Sequence, residues 1–316
     1  MQTALVAGGA GFIGKHLCES LLKDDLRVIC VDNFITSSEN NIKPLLSNSN
    51  FVFINQNLIE PFEIKEHVDF IFHLASPASP NKNSPRSYIN FPLETLLVNS
   101  QGTYHLLELG KNNNSKFLFT STSEVYGDPL ENPQKEEYFG NVNPNGIRSV
   151  YDESKRFGEA ITMAYVRKFD LDARIIRIFN TYGPYMQVDD GRAVSEFIVN
   201  AIKNQSLTIY GDGKQTRSFC FVYDMVNGIK LAMFQDNTCG EVINLGNPDE
   251  RTVLNLAEKI KEIVNSNSEI EFIEKAEDDP KVRRPDITKA KTLLQWEPKV
   301  SLEEGLVQTI EYFKSL

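Results

Sequence analysis

Short apolar runs punctuate the first half of the chain at residues 4–7, 27–31, 51–54, 70–74, 116–120 and 173–179. Between most of them lie stretches with apolar positions at helical spacing, residues 13–22, 94–109 and 154–169 among them. Strands alternating with helices imply a parallel sheet covered on both faces by right-handed crossovers. The pattern predicts an α/β fold, a doubly wound parallel sheet over residues 1–183. Beyond Pro184 it loosens into short elements, the turn Gly211-Asp212-Gly213 and an acidic, proline-punctuated segment at 274–285. The helix-like run 224–234 and the strand-like run 242–245 are able to rejoin the first sheet. About 217–247 is therefore grouped with residues 1–183, which leaves about 184–216 and 248–316 as a smaller substrate-side domain.

Composition narrows the partners. The chain has 316 residues, 41% apolar and 24% charged, enough for one large core or two modest ones. Its formal charge of -10 is spread out, with no Lys/Arg run suited to a phosphate backbone, so nucleic acid is not an expected partner. Cys18, Cys30, Cys220 and Cys239 are far apart in sequence, and four His add no ligand spacing. They read as reduced core residues, with no metal expected. No apolar stretch reaches membrane-spanning length, and Met1 leads directly into a strand-like run, so a cytoplasmic protein is expected.

The first apolar run is followed at once by Gly8-Gly9-Ala10-Gly11-Phe12-Ile13-Gly14, which opens a helix. Glycines there allow a tight turn, close approach of a pyrophosphate and packing of helix on strand. The second run ends at Asp32, where a carboxylate accepts hydrogen bonds from a ribose 2'-hydroxyl and repels a 2'-phosphate. Together these favour NAD over NADP, against the alternative of a packing turn followed by a capping Asp. Tyr151 and Lys155, four residues apart, fall on one helix face, where an ammonium near a phenol favours the phenolate and makes a general base. That spacing alone is common in amphipathic helices. The run 116–120 leads into Ser121-Thr122-Ser123-Glu124, placing hydroxyls and a carboxylate at the carboxyl end of a central strand, where ligands bind in such sheets.

Taken with HLASPASP at 73–80, STSEVYGDP at 121–129, YDESKR at 151–156 and FNTYGP at 179–184, the chain resembles the extended short-chain dehydrogenases that act on nucleotide sugars. HLASPASP and STSEVYGDP point within them to the UDP-glucuronate decarboxylase branch. Further matching stretches run through 207–211, 215–219, 244–248 and 278–286, so the likeness covers nearly the whole chain. It implies NAD as cofactor, held by Gly8, Gly11, Phe12, Ile13, Gly14, Asp32, Asn33, Thr36, Asn57, Leu58, Leu74, Ser76, Tyr151 and Lys155. Tyr151 is implied as the base at the sugar 4-hydroxyl, with Lys155 on the nicotinamide ribose, Thr122 on the proton path, and Ser123 and Glu124 near C5 and its carboxylate.

Arg283 is implied beside that carboxylate, a role suited to a bidentate cation; unguided, Arg283 and Arg284 read as a solvated pair. Asn180, Arg192, Tyr210 and Arg217 are implied as substrate-binding, although Asn180 and Tyr210 read equally as a turn or a core edge. The resemblance also implies a carboxy-lyase that turns UDP-glucuronate into UDP-xylose with NAD regenerated in each turnover. A homodimer joined through the helices of residues 94–109 and 154–169 is implied as well. A 4-epimerase or a 4,6-dehydratase of the same family is the competing reading. A dehydratase typically has an Asp where Ser123 stands. Asn57, Leu97, Ile147 and Tyr185 depart from the branch, where Asp, Lys, Pro and Arg are usual.

Overall fold

The computed structural model describes residues 1–274, 280 and 282–316. Asp278, Asp279 and Lys281, part of the acidic motif singled out above, lie outside the described residues. Seven strands form one sheet in the spatial order Val242–Leu245, Ala173–Ile178, Lys116–Thr122, Phe70–His73, Thr3–Ala7, Arg27–Asp32, Phe51–Asn55. All six pairings are parallel. Val242–Leu245 pairs with Ala173–Ile178 as an edge strand, so a segment distant in sequence extends the first sheet.

Strand periodicity explains the two layers. Ala4, Val6, Val28, Cys30 and Phe72 pack on one face against Leu17 and Leu21 of helix Phe12–Lys23 and Met225 and Ile229 of helix Val222–Phe234. Leu5, Ala7, Ile29, Val31 and Ile71 point the opposite way, toward Leu106 and Leu107 of helix Thr103–Asn113 and Tyr165 of helix Ser149–Phe169. A separate core gathers Phe197 and Ile198 of helix Ala193–Ile202, Leu256 and Ile260 of helix Val253–Val264, and Leu306 and Ile310 of helix Leu302–Lys314. It lies against the paired strands Leu207–Tyr210 and Ile270–Ile273.

Three local expectations change. The helix expected over 154–169 begins at Ser149, which puts Tyr151 in its first turn. The stretch expected over 94–109 is helical throughout, but Pro92–Leu97 and Thr103–Asn113 run into each other through a wider, π-helical turn at Val98–Gly102. Within that turn Asn99 Nδ2 donates to Ser76 Oγ at 2.9 Å and Ser154 Oγ at 3.1 Å, and Gly102 lets Leu58 approach. The third change concerns the thiols: Cys18, Cys30 and Cys220 are buried, but Cys239 is exposed, beyond the helix that the core anchors. No helix among the described residues is long and apolar enough to cross a membrane.

Candidate active site

The strand order reverses between Thr3–Ala7 and Phe70–His73, and the loops leaving their carboxyl ends part there into a crevice. The first loop is the glycine turn. Gly8 has φ of +79°, and a methyl on it would lie 2.6 Å from Ala75 N. A methyl on Gly14 would lie 2.1 Å from Gly8 O, so helix and strand meet at a distance only glycine permits. At Gly11 a methyl would find only Gly8 O, at 3.2 Å, and open space beyond. Gly11 caps helix Phe12–Lys23 without any side-chain acceptor, which leaves the first amides to the cleft. That cradle fits a pyrophosphate.

A cleft of about 660 Å³ runs from this turn across the sheet. Gly8, Gly11, Phe12, Ile13, Gly14, Thr36, Leu74 and Ser76 line its cofactor end. Thr122, Ser123, Glu124, Tyr151, Lys155 and Arg283 line its middle, and Asn180, Arg192, Tyr210 and Arg217 line the cap side. A smaller cavity of about 90 Å³ adjoins it and is lined by Asp32, Asn33, Asn57 and Leu58. Thus every site residue named from the sequence faces one of two adjoining cavities. Asp32 accepts from Ala10 N at 3.0 Å, Phe34 N at 2.9 Å and Ser37 Oγ at 2.7 Å, fixing the turn and the loop after its strand. Asn57 Oδ1 accepts from Ile59 N at 3.2 Å.

Strand Lys116–Thr122 delivers Thr122 to the cleft, and the Thr122 hydroxyl caps the short turn Ser123–Tyr126 through Glu124 N at 3.2 Å. Burial raises the Tyr151 pKa above the ordinary phenol value; a hydrogen bond with Thr122 opposes that, while the Glu124 charge adds to it. The spacing predicts Lys155 acting on the phenol, but its Nζ sits 5.9 Å from the centre of the Tyr151 ring and donates to Thr120 O at 2.8 Å. A carbonyl at the buried strand end thus holds the ammonium. Burial brings Lys155 down to about 7, against the pull of Glu159.

Glu124 sits between two guanidinium groups. Arg148 Nη2 lies 2.5 Å from its Oε2, and Arg283 Nη1 pairs with its Oε1. Burial works against ionisation, but Arg148 and Arg283 prevail and hold the carboxyl well below its usual range. Arg283 is buried, not solvated, and donates from Nη2 to Gly127 O at 3.1 Å. Its Nε has no hydrogen-bond partner among the described residues. Arg192 forms a two-point pair with Asp190, at 2.5 and 2.8 Å. Arg217 Nη1 donates to Thr216 O at 2.8 Å.

Several residues here escaped the sequence reading. Tyr88 stacks on Tyr151 with ring centres 4.9 Å apart and planes 3° from parallel. Asp152 is buried beside the cluster, and burial together with the Glu124 charge lifts its pKa. Arg148 shares Glu124 with Arg283. Tyr88 lies in an irregular loop with no periodicity to single it out, and only adjacency to named motifs marked the other two.

The family model described as GDP-mannose 4,6 dehydratase matches residues 5–309. UDP-glucuronic acid decarboxylase 1 of Xenopus tropicalis is 48% identical over 310 residues, covering 98% of this chain and 72% of its own. UDP-glucuronic acid decarboxylase 2 of Arabidopsis thaliana is 50% identical over 310 residues, covering 98% and 68%. Among solved structures, UDP-glucuronic acid 4-epimerase from Bacillus cereus in complex with UDP-glucuronic acid and NAD is similar with a TM-score of 0.88, 31% identity and 99% of each chain covered.

Proposed function

We infer what the cleft does from the premise that the chain belongs to the extended short-chain dehydrogenase family of nucleotide-sugar enzymes, on its UDP-glucuronate decarboxylase branch. It is a carboxy-lyase that converts UDP-glucuronate to UDP-xylose and carbon dioxide, with NAD as cofactor. NAD, which the Gly8–Gly14 turn and Asp32 would hold, would supply a hydride acceptor at C4 of the sugar and a hydride donor once carbon dioxide has left, with no net consumption. Tyr151 accepts the 4-hydroxyl proton, with Thr122 sharing the path, and Lys155 holds the nicotinamide ribose. The resulting ketone is β to the carboxylate on C5, and a β-keto acid loses carbon dioxide as its electrons flow into the carbonyl. The enol is then protonated at C5.

The observation that carries this reading is Glu124 clamped between Arg148 and Arg283 in one cleft with Thr122 and Tyr151. Held ionised, Glu124 has no proton for a departing 6-hydroxyl, and Ser123 is a poor acid, which argues against dehydration. Decarboxylation asks for no such proton. The unpartnered Nε of Arg283 supports a role in holding the sugar carboxylate. Asn180, Arg192, Tyr210 and Arg217 hold the uridine diphosphate, where amide and guanidinium donors suit phosphate oxygens. About 184–216 and 248–316 act as the nucleotide-sugar domain, and 1–183 with about 217–247 as the NAD domain.

The protein is a cytoplasmic homodimer joined through the helices around residues 94–109 and 154–169. Leu93, Tyr104 and Phe157, large apolar side chains exposed on these helices, support that face, and the free thiols of Cys18 and Cys30 support a reducing compartment. Incubating the protein with UDP-glucuronate and NAD is expected to release carbon dioxide and UDP-xylose with no net NADH. UDP-galacturonate in place of UDP-xylose would make it a 4-epimerase instead.

A further inference from the structure

The loop of residues 79–90 lines the cleft between the cofactor side and the cap, and apart from Tyr88, which stacks on Tyr151, the reaction assigns it nothing. It closes on itself: Ser79 and Ser87 form an isolated parallel bridge, and Tyr88 N donates to Ser79 O at 3.1 Å. From it Arg86 reaches in two directions. Its Nε pairs with Asp189 Oδ1 at 2.6 Å, three residues before the cleft residue Arg192. Its Nη1 donates to Thr36 O at 2.6 Å and Ser37 O at 3.2 Å. Ser37 in turn donates to Asp32 at 2.7 Å, and Asp32 accepts from the glycine turn at Ala10 N. Ser84 Oγ to Asp189 O at 2.5 Å and Ser79 Oγ to Asp190 O at 2.6 Å tie the same two loops further.

Thr36 and Ser37 line both the main cleft and the Asp32 cavity, so they stand where the two adjoin. A guanidinium suits this junction because its planar fork serves a carboxylate on one side and carbonyls on the other. The geometry points to Arg86 as a positioning residue that clasps the loop after Asp32 to the cap loop at Asp189 and thereby slows the exchange of NAD. The inference rests on the reading of these cavities as the NAD site. A cofactor that is reduced and reoxidised within each turnover has no need to leave, and losing it midway would strand a keto sugar.

The test uses the purified full chain loaded with fluorescent etheno-NAD and chased with excess NAD. Arg86→Ala and Asp189→Ala are each expected to speed etheno-NAD release by about tenfold or more, since each removes a hydrogen bond to a charged group. Added NAD is expected to restore the turnover that the Arg86→Ala enzyme loses after gel filtration. Release within about twofold of wild type in both variants would overturn the clasp, because losing charge-assisted bonds should cost more. So would a turnover defect that added NAD leaves unchanged, which would make Arg86 a support of the loop alone. A wild-type chain that takes up no etheno-NAD would remove the cofactor reading itself, and the clasp with it.

Discussion

Arg283 and Glu124 stand 159 residues apart in the chain and meet as an ion pair inside the cleft. With Arg148 on the other carboxylate oxygen, Glu124 holds Arg283 in place, its unpartnered Nε left for the sugar carboxylate in the proposed reaction. Arg283→Ala is expected to slow carbon dioxide release by about a hundredfold or more, the scale seen when one preorganised donor is removed. Carbon dioxide trapping from labelled UDP-glucuronate measures this, and a near-normal rate would take Arg283 out of the site. Arg283→Lys should recover only part of the loss, since an ammonium lacks the planar fork.

Tyr151→Phe removes the proposed base and should cut C4 oxidation by about a hundredfold or more. Tyr88 allows a finer test, because its hydroxyl is buried without a partner among the described residues while its ring stacks on Tyr151. Tyr88→Phe keeps the stack and should leave kcat close to wild type. Tyr88→Leu removes it and should lower kcat about fivefold, the equivalent of roughly 1 kcal/mol of ring stacking. Equal kcat in the two variants would show that the stack does not orient the base.

Stability should fall as the solution is acidified below pH 6.5. Burial holds His16 down at about 4 and His73 at about 3, so both stay neutral in the folded chain while the unfolded chain takes up protons from about 6.5 downward. Asp152 acts in the opposite sense, because burial and the Glu124 charge keep it protonated where an unfolded Asp is ionised. As the two histidines of the unfolded chain pass from half to nearly full protonation, two groups losing and one gaining leave a slope that starts near zero at pH 6.5 and steepens toward about 1.2 kcal/mol per pH unit by pH 5. Urea unfolding across that range reads the slope, and Asp152→Asn should steepen it. A flat profile would mean that the histidines are not buried neutral.

Gly14→Ala puts a methyl group 2.1 Å from Gly8 O, where only backbone is available to give way. The variant should lose about 1–3 kcal/mol of stability, the usual scale of overpacking, and should no longer bind NAD. Titration of the protein's intrinsic fluorescence with NAD tests the second half. Normal NAD affinity in a folded Gly14→Ala chain would show that the close approach of helix and strand is dispensable.

The sheet was legible because parallel strands buried on both faces leave unbroken apolar runs such as Ala4 to Ala7, and the glycine turn because backbone contact excludes every other side chain. The Val98–Gly102 turn was not legible, since it depends on Asn99 finding Ser76 and Ser154, both remote in sequence. Tyr88, Arg86 and Asp152 stayed hidden for a similar reason: each acts through a tertiary neighbour, and Tyr88 and Arg86 belong to no periodic element that would mark their faces. Lys155 was placed in the cleft by spacing alone, but spacing could not foresee that Thr120 O would claim its ammonium.

The bridge between Gln134 and Pro285, together with the Arg283 contact to Gly127, has a consequence for the order in which the protein is made. A nascent chain already carries the glycine turn, Asp32, Tyr151 and Lys155 long before the ribosome reaches Arg283. During synthesis, the cation cluster at Glu124 waits for its last member, Arg283. The proposed chemistry at the carboxylate thus switches on only once translation has passed Arg283.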